Sequence, residues 1–157
     1  MRNYREERGG RLGFRISRIF RMNACLLDKK LAVLGLSVGQ VPYINTTLEQ
    51  EGQTQDDLAA RVCVNRAATA RTLKTMEKMG LITRKENPEN RRQKLVYPTD
   101  KSRAVHGDLL AILDEYNELM FRDFSSDDKT TLIQLLDRVV NNIQDELDAY
   151  EDTNDNC

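Results

Sequence analysis

From Thr54 to Pro98 the chain sets two short helical patterns against each other across a tight turn, then follows them with two extended segments joined by a polar loop. Few folds accept that order. Thr54, with Asp57 three residues on, has the form of a capping box; Asp56 and Asp57 lie at the positive end of the helix they open, and Leu58, Ala59 and Val62 supply its buried side. The chain turns at Val64-Asn65. Asn65 is a good N-cap for a second helix that runs through Leu73 and Met76 and stops at Gly80. Leu81-Ile82-Thr83-Arg84 and Lys94-Leu95-Val96-Tyr97 then read as strands, joined by the polar stretch from Glu86 to Gln93 and closed by Pro98.

Two helices across a turn, followed by a hairpin, are the parts of a winged helix-turn-helix, in which the second helix enters the major groove and the first braces it across the backbone. On this reading the recognition helix lies near residues 65–79 and the wing near 84–97, and Asn65, Arg66, Ala67, Ala68, Thr69, Ala70 and Arg71 are the helix positions exposed to DNA. Small side chains permit close approach, while Arg66 and Arg71 can reach guanine edges or phosphates. Thr54 and Gln55 stand where a backbone phosphate would be held. Lys74, Arg84 and Asn90 join the candidate DNA-contacting set, and Arg91, Arg92 and Lys94 in the wing would reach an adjacent minor groove or its phosphates. The competing reading for each arginine is a solvated helix face or a mobile loop.

The flanks are helical. Leu12, Ile16, Ile19, Phe20, Leu26, Leu27 and Leu31 recur at helical spacing, with Arg15, Arg18 and Arg21 on the other face. After a break flanked by Gly35 and Gly39, with Ser37 as cap, Val41, Tyr43, Ile44 and Leu48 suggest a helix that tolerates Pro42 in its first turn. Thr99 or Asp100 caps a fifth helix carrying Val105, Leu109, Ile112, Leu113, Tyr116 and Met120. Ser125 or Ser126 caps a sixth, whose stripe is Leu132, Leu135, Leu136, Val139, Val140, Ile143 and Leu147. Residues 1–10 and 151–157 are expected to be disordered, the latter because the segment is polar and can bury nothing. The expected class is mainly α with a small β-hairpin wing, all within a single domain spanning 1–157, with the winged lobe at 37–99.

Charge separates along the chain although the net value is only -1. Residues 61–103 hold twelve Lys/Arg against four Asp/Glu, whereas 104–157 hold three against fourteen, so one region suits phosphates and the other is repelled by them. No run approaches eighteen apolar residues, which argues against a membrane span. The arginine-rich N-terminus is a poor transit peptide because of Glu6, Glu7 and Gly9-Gly10, and with no secretory h-region the expected location is cytoplasmic. Cys25, Cys63 and Cys157 form no close pair, consistent with a reducing compartment. A lone His106 with scattered cysteines makes no structural zinc site, and no nucleophile with a neighbouring base or phosphate loop suggests an enzyme; no metal or other cofactor is expected. His106 could line a ligand pocket or sense pH, but a partly exposed helix histidine is the simpler reading.

The stretch from Leu34 to Ser102, containing TQDDLAARVCVNRAATARTLKTMEKMGLITRKENPENRRQKLVYPTDKS, resembles the MarR/SlyA regulators without an obvious gap. The resemblance implies dimerisation helices at 11–34 and 100–150, a homodimer on a palindromic double-stranded DNA operator, and repression usually relieved by a small, often aromatic or phenolic, effector whose binding residues here are unknown. Where such wings carry Asp-x-Arg, this chain has Asn90-Arg91-Arg92, so Asn90 would accept a hydrogen bond from Arg92 without charge assistance. Ala67, Ala68 and Ala70 stand where polar residues are common. Cys25 lies well after the position of the family's peroxide-sensing cysteine and reads as a buried small residue. The rival function is a protein-interaction module that kept the winged fold and lost specific DNA binding.

Overall fold

The computed structural model describes residues 11–154, with side chains described as far as 150; the disorder expected for residues 1–10 and 155–157 lies outside the described residues. The chain divides into two compact units at Asp114/Glu115.

In the first unit, α1 (Leu12–Leu31) leads through two 3-10 turns, Ala32–Leu34 and Val38–Gln40, into α2 (Val41–Glu49). Lys29 and Lys30 close α1 where the dipole favours cations. Pro42 sits in the first turn of α2, as its missing N–H requires. There follow β1 (Gln53–Thr54), α3 (Gln55–Arg61), α4 (Arg66–Lys78), β2 (Ile82–Glu86), β3 (Lys94–Pro98) and α5 (Asp100–Met120), whose last turns pass into the second unit. The three strands form one antiparallel sheet in the order β1-β3-β2, pairing Gln53 with Val96 and Arg84 with Val96 from the other side. β1 was not expected: the wing is a hairpin with a third, two-residue strand at its base. Leu31, Ile44, Leu58, Leu73, Met76, Leu81, Ile82, Val96 and Leu109 are fully buried and tie helices and sheet into one core.

α4 ends in a Schellman motif. Gly80 takes φ +72, its N–H donates to the Glu77 carbonyl at 3.0 Å, and the Leu81 N–H donates to the Met76 carbonyl at 2.9 Å. Thr99 caps α5, accepting from the Ser102 N–H at 3.3 Å, and its hydroxyl donates to the Gly80 carbonyl at 2.6 Å. Lys101 reaches back to the Met79 carbonyl at 2.8 Å. The first turn of α5 is thus tied to the last turn of α4.

In the second unit α6 (Ser126–Asn154) opens on a capping box in which Ser125 Oγ donates to Asp128 at 2.6 Å and accepts from the Asp128 N–H at 3.1 Å. The Ser125 hydroxyl first, and then the Ser125 N–H donating to the same oxygen at 3.1 Å, hold the Asp128 carboxyl below the usual range. α6 continues to Asn154. Propagating an established helix adds one backbone bond per residue fixed, so a polar end with nothing to bury can still extend it.

Most of the α1 stripe is exposed, including Leu12, Ile16, Ile19, Phe20 and Leu26, with only Leu27 and Leu31 buried. α6 likewise exposes Leu132, Leu135, Leu136, Val140, Ile143 and Leu147. Cys25 is exposed rather than buried. It follows Arg18 by seven residues and Arg21 by four, so helical geometry assigns it to the polar face of α1.

Candidate nucleic-acid interface

α3 begins as its sequence dictates. Thr54 Oγ1 accepts from the Asp57 N–H at 3.2 Å, while the Thr54 N–H and hydroxyl both donate to Asp57 Oδ2, at 2.9 and 2.7 Å. Those Thr54 bonds, the hydroxyl's first, hold the Asp57 carboxyl below the usual carboxylate range. A depressed folded-state pKa means the ionised form stabilises the fold above that range, and the contribution is lost as pH falls through the lowered value. Asp57→Asn is therefore expected to lower stability at neutral pH by ~0.3–1 kcal/mol, as suits an exposed first-turn carboxylate. The gap between the variant's and the parent's thermal midpoints should close in acid; a gap independent of pH contradicts the assignment. With its polar groups used in this way, Thr54 is a cap and not the free phosphate ligand expected of it. Gln55 remains available.

The turn to α4 passes through Val62, Cys63 at φ +53 and Val64, whose N–H donates to the Ala59 carbonyl at 3.0 Å. Asn65 then caps α4, its Oδ1 accepting from the Ala68 N–H at 2.9 Å. Thr69, Leu73 and Met76 form the buried side of α4, so Ala67, Arg71 and Lys74 point outward and Asn65 and Arg66 are exposed at its start. Ala68 and Ala70 are half-buried at the edges. Thr69 departs from expectation: it is fully buried, with its hydroxyl 2.9 Å from that of buried Tyr43 on α2. It lies two residues from Ala67 and Arg71, five from Lys74 and four from Leu73, which places it among the core residues. It braces the helix and does not face DNA.

Carboxylates meet three of the candidate arginines. Arg66 Nε lies 3.4 Å from Asp56 Oδ1 across the turn, and Arg91 Nε lies 3.4 Å from Glu86 within the wing. Arg84, offered as a DNA contact, is only 18% exposed and lies 3.2 Å from Glu77 on α4, without hydrogen-bond alignment. Its site ties the wing to the recognition helix. Asn90 Oδ1 accepts from the backbone N–H of Arg92 at 3.2 Å and so shapes the loop; the expected bond to the Arg92 guanidinium is replaced by this turn. Arg91, Arg92 and Lys94 are exposed.

Sequence reasoning missed several neighbours of these residues. Arg71 borders a cleft of about 200 Å3 with Ser37, Gly39, Gln40, Thr72 and Thr75, brought together by the 3-10 turn before α2. Asp56 and Gln93 join Gln55, Arg84, Arg92 and Lys94 around a second cleft of about 300 Å3 at the foot of the wing. Only contacts between segments distant in sequence reveal either. On another face, Asn45, Leu48, Glu49, Arg103, His106 and Leu110 line a cavity of about 530 Å3, with His106 Nε2 3.2 Å from Asn45 Oδ1.

This arrangement, an outward helix with a basic wing beside it, recurs in known proteins. A family model described as MarR family matches residues 36–94. YybA, an HTH-type transcriptional regulator of Bacillus subtilis (strain 168), is 32% identical over 111 residues, covering 71% of this chain and 74% of that protein. This chain belongs to the MarR family. The crystal structure of MarR superposes with a TM-score of 0.76 at 28% identity, covering 85% of this chain and 90% of that one. A MarR-family regulator from Listeria monocytogenes, solved in complex with a 26mer DNA, gives 0.78 at 26% identity, covering 87% and 91%. Membership in the MarR family makes the chain a transcriptional regulator and not an enzyme. Among the described residues no helix is long and apolar enough to cross a membrane.

Proposed function

We propose that this chain is a cytoplasmic, homodimeric repressor that binds a palindromic operator through α4 and the wing and releases it when a small effector binds. The outward stripe of Ala67, Arg71 and Lys74 on α4 carries the reading: small side chains beside cations suit close approach to base edges and phosphates. Asn65, Arg66, Ala68 and Ala70 flank the stripe, with Gln55, Arg91, Arg92 and Lys94 on neighbouring phosphates. The exposed apolar faces of α1 and α6 support a dimer, since monomeric soluble proteins rarely leave so many large apolar side chains in rows. On this reading residues 11–34 and 100–150 build the dimer core around two lobes of residues 37–99 in a single-domain protomer, and the core sets the spacing of two recognition helices.

The cavity beside His106 supports effector control. Its volume falls within the range of small-molecule sites, and its lining combines Leu48 and Leu110 with the polar groups of Asn45, Glu49, Arg103 and His106, a mixture that an aromatic or phenolic compound could use. A ligand held there represses DNA binding by favouring a spacing that no longer matches the half-sites.

The test is binding to the promoter region beside the chain's own gene over a salt series. Sequence-specific binding that weakens steeply with salt is expected, and Arg92→Ala should reduce the slope of log affinity against log salt by ~0.9, the loss of one phosphate contact. No binding at low salt favours a winged-helix interaction module, and an unchanged slope removes Arg92 from the phosphate contacts.

A further inference from the structure

The recognition surface carries a carboxylate where DNA phosphates would approach. Asp56 projects from the first turn of α3, borders the cleft at the foot of the wing beside Arg92 and Lys94, and lies 3.4 Å from Arg66 Nε at the start of α4. The side chains of Arg66 and Asp56 are 79% and 50% exposed, so the pair adds little to folding stability. It differs from the pair of Glu86 with Arg91, which lies within the wing, because it spans the two helices of the DNA-reading unit.

We propose that Asp56 is a specificity-determining residue: it holds Arg66 in position for a base edge and penalises binding in which Arg66 merely meets a phosphate. An arginine on a flexible stem neutralises any phosphate within reach, and that contact is independent of sequence. A carboxylate ion-paired with Nε at 3.4 Å restricts the stem and leaves the terminal amino groups for a guanine edge, which arginine meets through them. In a non-specific complex the same carboxylate faces the phosphate backbone and opposes it. Asp56 thus lowers affinity for the wrong DNA more than for the right one. The inference rests on the DNA-binding reading above and adds to it a residue whose charge has the wrong sign for DNA contact.

The experiment compares the wild-type chain with Asp56→Asn on two duplexes of equal length, one selected by the wild-type chain from a randomised pool and one of random sequence. Asp56→Asn is expected to bind the random duplex roughly threefold to fivefold more tightly, as loss of one exposed charge pair allows. Its salt slope there should steepen by ~0.9 as Arg66 gains a phosphate. Affinity for the selected duplex should stay level or fall, so that the ratio of the two affinities drops. Arg66→Ala should abolish the change in salt slope on adding Asp56→Asn, and Asp56→Glu should recover part of the ratio. Thermal midpoints of the variants separate these effects from a loss of fold. An Asp56→Asn protein with an unaltered affinity ratio, or one that tightens equally on both duplexes, overturns the inference while leaving DNA binding intact. Failure of the wild-type chain to bind either duplex at low salt overturns the reading beneath it and this inference together.

Discussion

Leu136→Arg combined with Val140→Arg is expected to yield a folded monomer whose affinity for operator DNA is lower by about 10²–10⁴-fold, the contribution of joining two half-site contacts in one molecule. Both side chains are exposed, at 42% and 61%, so charging them leaves no buried cation and should not unfold the helix. They lie four residues apart on one face of α6, in the row formed with Leu132, Ile143 and Leu147. In a dimer interface each arginine would be desolvated and set against its symmetry mate, a cost that apolar contact cannot offset. Sedimentation equilibrium checks the mass, and anisotropy titration of an operator duplex checks the affinity. A double variant that remains dimeric removes this face of α6 from the interface.

Arg71→Ala is expected to weaken operator binding by about 1–3 kcal/mol, because a side chain that reads a guanine edge carries that much discrimination. Arg71 differs from three other candidate arginines in its ion pairing. Arg66, Arg84 and Arg91 each lie beside a carboxylate, whereas the Arg71 guanidinium has no ion-pair partner among the described residues and stands at the cleft with Ser37 and Thr75. It therefore gives up no ion pair on meeting DNA. Titrations on operator and on a random duplex separate its two possible contacts. A loss confined to the operator marks a base contact, and an equal loss on both with a shallower salt slope marks a phosphate. Unchanged affinity on both removes Arg71 from the interface.

The recognition helix was legible because its ends carry their own chemistry. Asn65 must accept a bond from an N-terminal amide and Gly80 must take a positive φ, and both requirements are local. The capping box at Thr54 was readable for the same reason, and the cap of α6 was narrowed to Ser125 or Ser126, of which Ser125 holds it. β1 was not, since two residues have no period and Gln53-Thr54 becomes a strand only because β3 passes beside it. Thr69 was misassigned because a small polar residue near the start of a recognition helix looks like a DNA contact, while its actual partner, Tyr43, lies 26 positions away. Cys25 was misread by residue type when its spacing from Arg18 and Arg21 already indicated the polar face. The carboxylate partners of Arg66 and Arg84 follow from tertiary proximity alone.

The junction between α4 and α5 bears on how such a regulator is controlled. The Thr99 hydroxyl on the Gly80 carbonyl, the Thr99 N–H on the Leu81 carbonyl at 3.1 Å and the Lys101 ammonium on the Met79 carbonyl rivet one helix end to the other. A swing of the start of α5 must drag the end of α4 with it, as a crank turns its shaft, because separating them would break several bonds at once. On the mechanism proposed above, motion arriving through α5 would reach the DNA face as a change of aim, with α4 intact. Under the proposed mechanism, release of DNA would need only a misdirected helix, with no melting to precede it.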